Sequence, residues 1–301
     1  MRSKSKRSVL QARRNLLCTL FVLPALVLIV TFFLLPMFQS YAFSVTNWDG
    51  FSYNMKWVGL RNFQKVVEND YFDRVVVNTF YLMLLHLPIL NVLALMLALG
   101  FQSMGKASTI PKALFFFPGL LSMPVVGFIW QNIFRVDGII NNVLELVGLE
   151  AWRQTWLGQI STVLPSISLV MTWQGMGWTS LIYLAGLIAI PQELYEAAQI
   201  DGIGPVRKLV SITIPLLMPA ITVNVVLGTI SGLNVFDVVL VMTRGGPAGF
   251  SETIALAVFN YAYSKNRIEY GLALAVLLGT ATIALAMVQL MLLRRRERQM
   301  E

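Results

Sequence analysis

The sequence predicts an all-α fold, a polytopic helical bundle that crosses a membrane with six transmembrane helices. Hydrophobic residues make up 56% of the 301 residues and charged residues only 13%, whereas soluble domains carry about a quarter charged residues. The apolar residues are gathered in six charge-free runs, each close to the roughly 20 residues that a helix needs to cross the bilayer core. The basic residues are concentrated at the two chain ends.

The six apolar runs follow one another along the chain, separated by polar stretches. They cover residues 16–38, 75–101, 113–134, part of 160–190, part of 209–236 and 270–293. Several contain proline or glycine, which membrane helices tolerate when neighbouring helices satisfy the freed backbone groups. The predicted organisation is a basic N-terminal segment at 1–15, a six-span domain at 16–293 and a basic tail at 294–301.

The formal charge of +8 is interpreted as a topology signal. Basic residues precede the first run and follow the last: Arg2, Lys4, Lys6, Arg7, Arg13, Arg14, Arg294, Arg295, Arg296 and Arg298. The positive-inside rule then places both termini in the cytoplasm, which requires an even number of spans. Because the basic residues are not spread over a folded face, no nucleic-acid partner is expected. The first run, of about 23 residues, is longer than the core of a signal peptide and is kept as a span.

Sequence motifs of enzymes are missing. The chain contains no HExxH, no GxSxG and no cysteine cluster, and Cys18, its single cysteine, cannot form an intramolecular disulfide. A near match to the phosphate-binding P-loop begins at Gly100 but has Ala107 where a hydroxyl is needed. His86 is predicted to form an interhelical hydrogen bond. No cofactor or metal is expected in this chain, and a membrane enzyme is the weaker hypothesis.

A polar, glycine-containing stretch, the 191–215 segment, lies between the fourth and fifth runs. Pro191 suits the first turn of a short helix that extends to about Ile200. Residues 201–202 then indicate a turn, after which a second helix restarts near 206. Pro215 ends or kinks that second piece.

One face of the first short helix is predicted to be slim and apolar. Ile190, Leu194 and Ala197 or Ala198 share that face, which suits insertion into a groove, and Glu196 adds a charge. Taken alone, the segment favours an amphipathic helix lying along the membrane surface.

The spacing within the 191–215 segment resembles the EAA signature of permease subunits of binding-protein-dependent ABC importers, in which EAA, three residues, glycine, nine residues and IxLP follow in order. The matching positions, with the adjacent aspartate, are Glu196, Ala197, Ala198, Asp201, Gly202, Ile212 and Pro215. Ile214 replaces the usual leucine. The resemblance implies a cytoplasmic coupling helix that docks in a cleft of a partner ATPase, which carries the ATP and Mg.

Two further stretches are similar to the carbohydrate branch of that family. They are WVGLRNF at residues 57–63 and the GGP region within 243–263. The resemblance implies a bacterial inner-membrane subunit with three kinds of partner: a second homologous permease forming a heterodimer, two copies of the ATPase, and an extracytoplasmic solute-binding protein. The implied cargo is a sugar or oligosaccharide, moved by alternating access.

Candidate solute-contacting residues lie in the fourth and fifth runs. Trp173 and Trp178 offer flat faces to a sugar, Gln174 offers hydrogen bonds, and Gly175 lets a ligand approach the backbone. The alternative is that Trp178 packs against a neighbouring helix and Gln174 bonds across helices. The resemblance adds Asn234 and Asp237, because it places the translocation path along these two runs.

Asp237 is also the residue on which a rival hypothesis depends. An ion-coupled secondary transporter needs an ionisable group within the membrane, and Asp237 is the candidate. The plainer interpretation places Asp237 at the membrane interface. An ABC importer permease for a solute other than a sugar remains the other alternative.

Overall fold

The computed structural model describes residues 17–52 and 55–298. The predicted N-terminal segment 1–15 and the last three residues of the predicted tail lie outside the described residues. Within the described part no strand forms, and the one β-type pairing is an isolated antiparallel bridge between Thr46 and Trp57. The predicted all-α class is confirmed.

Fourteen helices can be named in chain order within the described residues. The longer ones are α1 Leu17–Ser44, α3 Asp70–Met104, α5 Met123–Ile133, α7 Ile160–Ala189, α8 Gln192–Ile200, α11 Met218–Leu233 and α14 Ile268–Arg298. The shorter ones are α2 Arg61–Val67, α4 Thr109–Phe116, α6 Ile139–Leu146, α9 Pro205–Lys208, α10 Ile214–Leu216, α12 Asp237–Met242 and α13 Ile254–Phe259. Short 3₁₀ turns occur at Gly105–Ser108, Phe117–Leu120 and Glu150–Trp152, and π turns at Val30–Leu34, Leu209–Thr213 and Asn260–Ser264.

Among the described residues, three helices are long and apolar enough to cross a membrane. They are α1, the continuous stretch Asp70–Leu120 that begins with α3, and α14; a fourth results if Pro205–Leu216 and Met218–Leu233, which meet at 71°, are counted as one span. The run predicted at 113–134 is interrupted between α4 and α5. Helix α7 is long enough to cross a membrane but contains several polar residues. The count of six spans therefore stays a prediction.

Helix α3 is the central element of the bundle. Its start is capped by Asn69, whose side chain accepts a hydrogen bond from the Tyr71 N–H at 3.0 Å, and two aspartates in the first turn suit the positive end of the helix dipole. It packs along its length against α7. All three buried apolar clusters include α3; representative members are Leu82, Ile167 and Val238 in the first, Val75 and Leu274 in the second, and Ala98, Tyr183 and Leu217 in the third.

Glycine residues allow the close packing of α7. A Cβ at Gly177 would lie 2.2 Å from the Phe115 carbonyl oxygen, so the interrupted α4–α5 region fits against α7 only because that side chain is absent. Gly175 is less crowded, with a Cβ position 3.3 Å from the Leu90 Cδ1 atom.

The first helix lies at the margin of the bundle. Its most apolar 18-residue window has no residue buried within the chain. One side-chain link to the bundle is the hydrogen bond of 3.1 Å between the hydroxyls of Tyr41 and Thr280, which joins it to α14. A helix this apolar and this exposed requires lipid or another protein around it.

Candidate functional site

The first short helix of the 191–215 segment lies where the sequence predicts it, as α8. It ends in two hydrogen bonds: the Ile203 N–H donates to the Ala198 carbonyl at 2.9 Å, and the Gly202 N–H donates to the Gln199 carbonyl at 3.2 Å. Gly202 has a φ of 68°, in the left-handed region. This is the Schellman arrangement. It explains why the alanine pair is followed, after three intervening residues, by a glycine.

The predicted apolar face of α8 is divided by the structure. Ile190 and Ala198 are packed inward, with Ala198 only 3% exposed. Leu194 and Ala197 point outward together with Ile200, which is 87% exposed. Of the two alternatives for the predicted face, Ala197 is exposed like Leu194, whereas Ala198 and the predicted Ile190 are buried and unavailable.

The second part of the segment restarts close to the predicted position. Helix α9 begins at Pro205, continues through a π turn and α10, and then bends by 71° into α11. The bend lies after Leu216, not at Pro215 as predicted. Pro215 occupies the first turn of α10, where its missing N–H costs little. Ile212 lies in the π turn and is partly buried.

The 191–215 segment contacts the C-terminal end of α3. The Tyr195 and Thr213 hydroxyls lie 3.2 Å apart and tie α8 to the restart. Both side chains line a cavity of 420 Å³ together with Gln102 and Ser103 from the end of α3.

The opposite end of α3 carries the GGP loop, residues 243–253. The Asn78 side-chain amide donates to the carbonyls of Gly249 and Glu252, each at 3.0 Å, and Arg74 donates to the Ala248 carbonyl at 3.1 Å. Asn78 and Gln102 are 24 positions apart, which corresponds to roughly 36 Å along a helix at 1.5 Å per residue. The two polar regions are thus separated by about the thickness of a bilayer.

A cavity of 750 Å³ lies among α3, α7, α11 and α12. Five of the six predicted solute-contacting residues line it: Gln174, Gly175, Trp178, Asn234 and Asp237. The sixth, Trp173, packs instead against Trp130, with ring centroids 5.5 Å apart. The sequence analysis did not select four further polar residues in the lining, which are His86, Thr179, Asn224 and Ser231.

Two of the lining residues also hold the bundle together. The Gln174 side-chain amide donates to the Leu121 carbonyl at 2.9 Å, and the Trp178 indole N–H donates to the Gly119 carbonyl at 3.4 Å. Both carbonyls belong to the interruption between α4 and α5, where helical partners are missing. The structural alternative raised for these two residues therefore holds, and it coexists with their place in the cavity wall.

Polar side chains of α3 form hydrogen bonds to other parts of the bundle. The His86 Nδ1 atom lies 3.0 Å from the Thr172 hydroxyl on α7, which confirms the interhelical bond. Asn91 accepts a hydrogen bond from the Tyr183 hydroxyl, also on α7. Asn78 bonds to the GGP loop, which is not a neighbouring helix.

The wall of the cavity is broken where α11 ends and α12 begins. Residues 234–236, called the break, are not helical, and Asp237 starts α12. Asn234 and Asp237 are exposed, and Asp237 takes part in none of the ion pairs found in the described part of the chain. The lining contains this one carboxylate and no lysine or arginine. No group of three or more metal-ligating residues occurs among the described residues.

Comparison with protein families decides what kind of protein has this geometry. Residues 4–298 match the model of the binding-protein-dependent transport system inner membrane component. The chain belongs to this family. It is therefore a membrane-embedded transport component and not itself an enzyme.

Curated relatives of this inner membrane component cover most of its length. The multiple sugar-binding transport system permease protein MsmF of Streptococcus mutans is 32% identical over 258 residues, which is 86% of this chain and 88% of the relative. The trehalose/maltose transport system permease protein MalF of Thermococcus litoralis is 31% identical over 274 residues, 91% of each chain. The diacetylchitobiose uptake system permease protein NgcF of Streptomyces coelicolor is 31% identical over 271 residues, 86% of this chain and 76% of the relative.

A solved structure shares the fold of this inner membrane component. It belongs to a bacterial ABC transporter involved in the import of the acidic polysaccharide alginate. The TM-score is 0.79 at 22% identity, and the match covers 96% of this chain and 99% of the other. At this identity the likeness establishes the fold.

Proposed function

We propose that the chain is the permease subunit of an ATP-driven importer that moves a sugar or oligosaccharide delivered by an extracytoplasmic binding protein. The observation that carries this proposal is the 750 Å³ cavity, which gathers an indole, side-chain amides and a carboxylate. Its volume lies within the usual range for small-molecule sites, about 300–1,000 Å³. The names of three relatives, which are sugar, trehalose/maltose and diacetylchitobiose permeases, support the cargo class.

The chemistry of the lining suits a sugar. Trp178 is about half exposed, so part of its ring face is free for the C–H face of a pyranose. Gln174, Asn224, Asn234 and Ser231 offer donors and acceptors for hydroxyl groups. Gly175 has no side chain, so a ligand can approach the backbone of α7 beside Gln174 and Trp178. Trp173 is not proposed as a direct contact, because its ring packs against Trp130.

The proposed topology has six spans with both termini in the cytoplasm. The domain division is that of the sequence: a basic segment at 1–15, the spans at 16–293 and a basic tail at 294–301. With both termini in the cytoplasm, the 191–215 segment lies on the cytoplasmic side, and the GGP loop, at the opposite end of α3, faces the binding protein. The membrane is the bacterial inner membrane.

The proposed coupling element is α8. Its outward residues, Glu196, Ala197 and Ile200 among them, form the face that enters the ATPase cleft. Ala198, Asp201 and Gly202 form the end of α8, where Ala198 also packs inward, and Ile212 and Pro215 belong to the restart. Two copies of the ATPase bind ATP and Mg, and a second homologous permease completes a heterodimer. The description of another solved relative, an alginate ABC transporter in complex with alginate pentasaccharide-bound periplasmic protein, supports the binding-protein partner.

Copurification tests the proposed assembly. The chain is extracted from its native membrane in mild detergent, and the proteins that accompany it are identified by mass spectrometry. We expect an ATPase and a second permease, both retained when Thr282 is changed to valine and the ATPase lost when Ile200 and Ala197 are changed to aspartate. Recovery of the chain alone at normal yield would instead favour an ion-coupled transporter acting through Asp237.

A further inference from the structure

Four consecutive residues beside the break are deeply buried although most of them are polar. Ser251 and Thr253 are fully buried, Glu252 is 9% exposed and Ile254 is 6% exposed. These residues, called the clasp, are the last three of the GGP loop and the first of α13. Buried polar groups persist when each has a partner, so the partners of the clasp indicate what it holds.

The hydroxyl of Thr253 joins the clasp to the break. It donates to the Val235 carbonyl at 2.7 Å and accepts from the Leu256 N–H at 3.4 Å, capping α13. In a continuous helix the Val235 carbonyl would accept from the N–H four residues later, but the helix is interrupted there. Thr253 therefore supplies the partner that the interruption removes from a carbonyl whose residue is only 7% exposed.

The backbone on either side of Thr253 is fastened to α3. The Glu252 carbonyl accepts from the Asn78 amide at 3.0 Å, and the Ile254 N–H donates to the Thr79 hydroxyl at 2.9 Å. Thr79 in turn donates to the Val75 carbonyl within α3 at 2.6 Å. Three consecutive clasp residues thus connect α3 to the break through hydrogen bonds that are all shielded from water.

We propose that Thr253 is a positioning residue that keeps the break open, so that Asn234 and Asp237 remain in the cavity wall. Since Thr253 lies in the GGP loop, which Asn78 anchors to α3, it also links the break directly to that loop. A displacement of that loop would then be transmitted to the cavity wall through the Thr253 hydroxyl. The effect on transport rests on the proposed function, whereas the effect on the break does not.

Hydrogen–deuterium exchange tests the link without a known solute. The full chain, purified with its copurifying partners into lipid nanodiscs, is compared with its Thr253→Val variant, which removes the hydroxyl at nearly equal volume. We expect amides 235–239 to exchange about tenfold faster in the variant, because a buried carbonyl loses its partner. Thr253→Ser, which restores the donor and the acceptor, is expected to exchange like the unmodified chain.

Thr282 provides the matched control. It is also buried, and its hydroxyl donates to the Leu278 carbonyl at 2.8 Å, but it lies within the unbroken helix α14. Thr282→Val is expected to leave exchange at 235–239 unchanged. Equal acceleration in both valine variants, or none in Thr253→Val, would overturn the proposal.

A measurement on the unmodified chain keeps the proposal testable if Thr253→Val does not fold. The proposal requires amides 235–239 and 251–254 to open together, with matching exchange rates under native conditions. Opening of 235–239 at least tenfold faster than the clasp would contradict it. Because exchange is read independently of uptake, a failure of the sugar assignment would leave this result standing.

Discussion

Gly202 illustrates how one residue ends α8. Its left-handed φ of 68° is unfavourable for other residues by roughly 1–2 kcal/mol, although no atom stands within 4 Å of its Cβ position. We expect Gly202→Leu to misdirect α8 and lower ATP-coupled uptake at least tenfold while membrane insertion is kept. Gly202→Asn is the control, since asparagine tolerates this conformation better. Normal uptake by Gly202→Leu would refute the docking role of α8.

Asp237 sets the charge of the cavity wall. A single carboxylate with no basic residue in the lining repels an anionic sugar, by about 1 kcal/mol at 4 Å in water and more where water is excluded. We expect the chain to prefer a neutral sugar over its uronate derivative in competition uptake assays. Asp237→Asn should narrow that preference several-fold and Asp237→Glu should keep it. An unchanged preference in Asp237→Asn would show that the carboxylate does not face the solute.

At the residue scale, local features could be predicted from the sequence, whereas contacts between distant residues could not. Gly202 and the polar residues of the fourth run could be selected from spacing and composition. Thr253 and Asn78 could not be assigned their contacts, because Asn78 bonds to residues more than 170 positions away. Trp173, a predicted solute contact, lies outside the cavity lining although Gln174 lines it, because a one-residue change along a helix turns a side chain by about 100°.

Two glycines on α7 offer a matched pair at the scale of elements. Gly177→Ala would place its Cβ 2.2 Å from a backbone oxygen, whereas Gly175→Ala would place it 3.3 Å from a mobile side-chain atom. Overpacking of this kind costs about 1–3 kcal/mol. We expect Gly177→Ala to lower the midpoint of thermal unfolding of the detergent-solubilised chain by several degrees more than Gly175→Ala. Equal midpoints would mean that the α4–α5 interruption adapts freely to α7.

Helix positions were predicted better than helix interruptions. The apolar runs at 75–101 and 270–293 fall within α3 and α14. A charge-free run of this length, bounded by charged residues, crosses a membrane as a helix, because its backbone groups must be satisfied internally. The run at 113–134 was taken as continuous but is broken between α4 and α5. Its freed carbonyls are satisfied by Gln174 and Trp178 from α7, a tertiary contact that the run itself does not encode.

At the scale of the whole molecule, α3 separates the region proposed to meet the ATPase from the region proposed to meet the binding protein. The cavity lies between them, in contact with α7, α11 and α12. In the proposed function this arrangement would transmit movement from either end to the proposed solute site, as alternating access requires. The exposed first helix, α1, leaves a large apolar face for lipid or for the proposed second permease.

Uptake by the reconstituted complex tests the proposed function most directly. The chain is copurified with its partners into proteoliposomes with ATP inside, and the uptake of radiolabelled neutral disaccharides is measured with and without the binding protein. Uptake that requires both ATP and the binding protein, and that persists when ionophores abolish ion gradients, is the predicted result. Uptake without ATP that stops when the ion gradient is removed would contradict the importer assignment and establish an ion-coupled transporter instead.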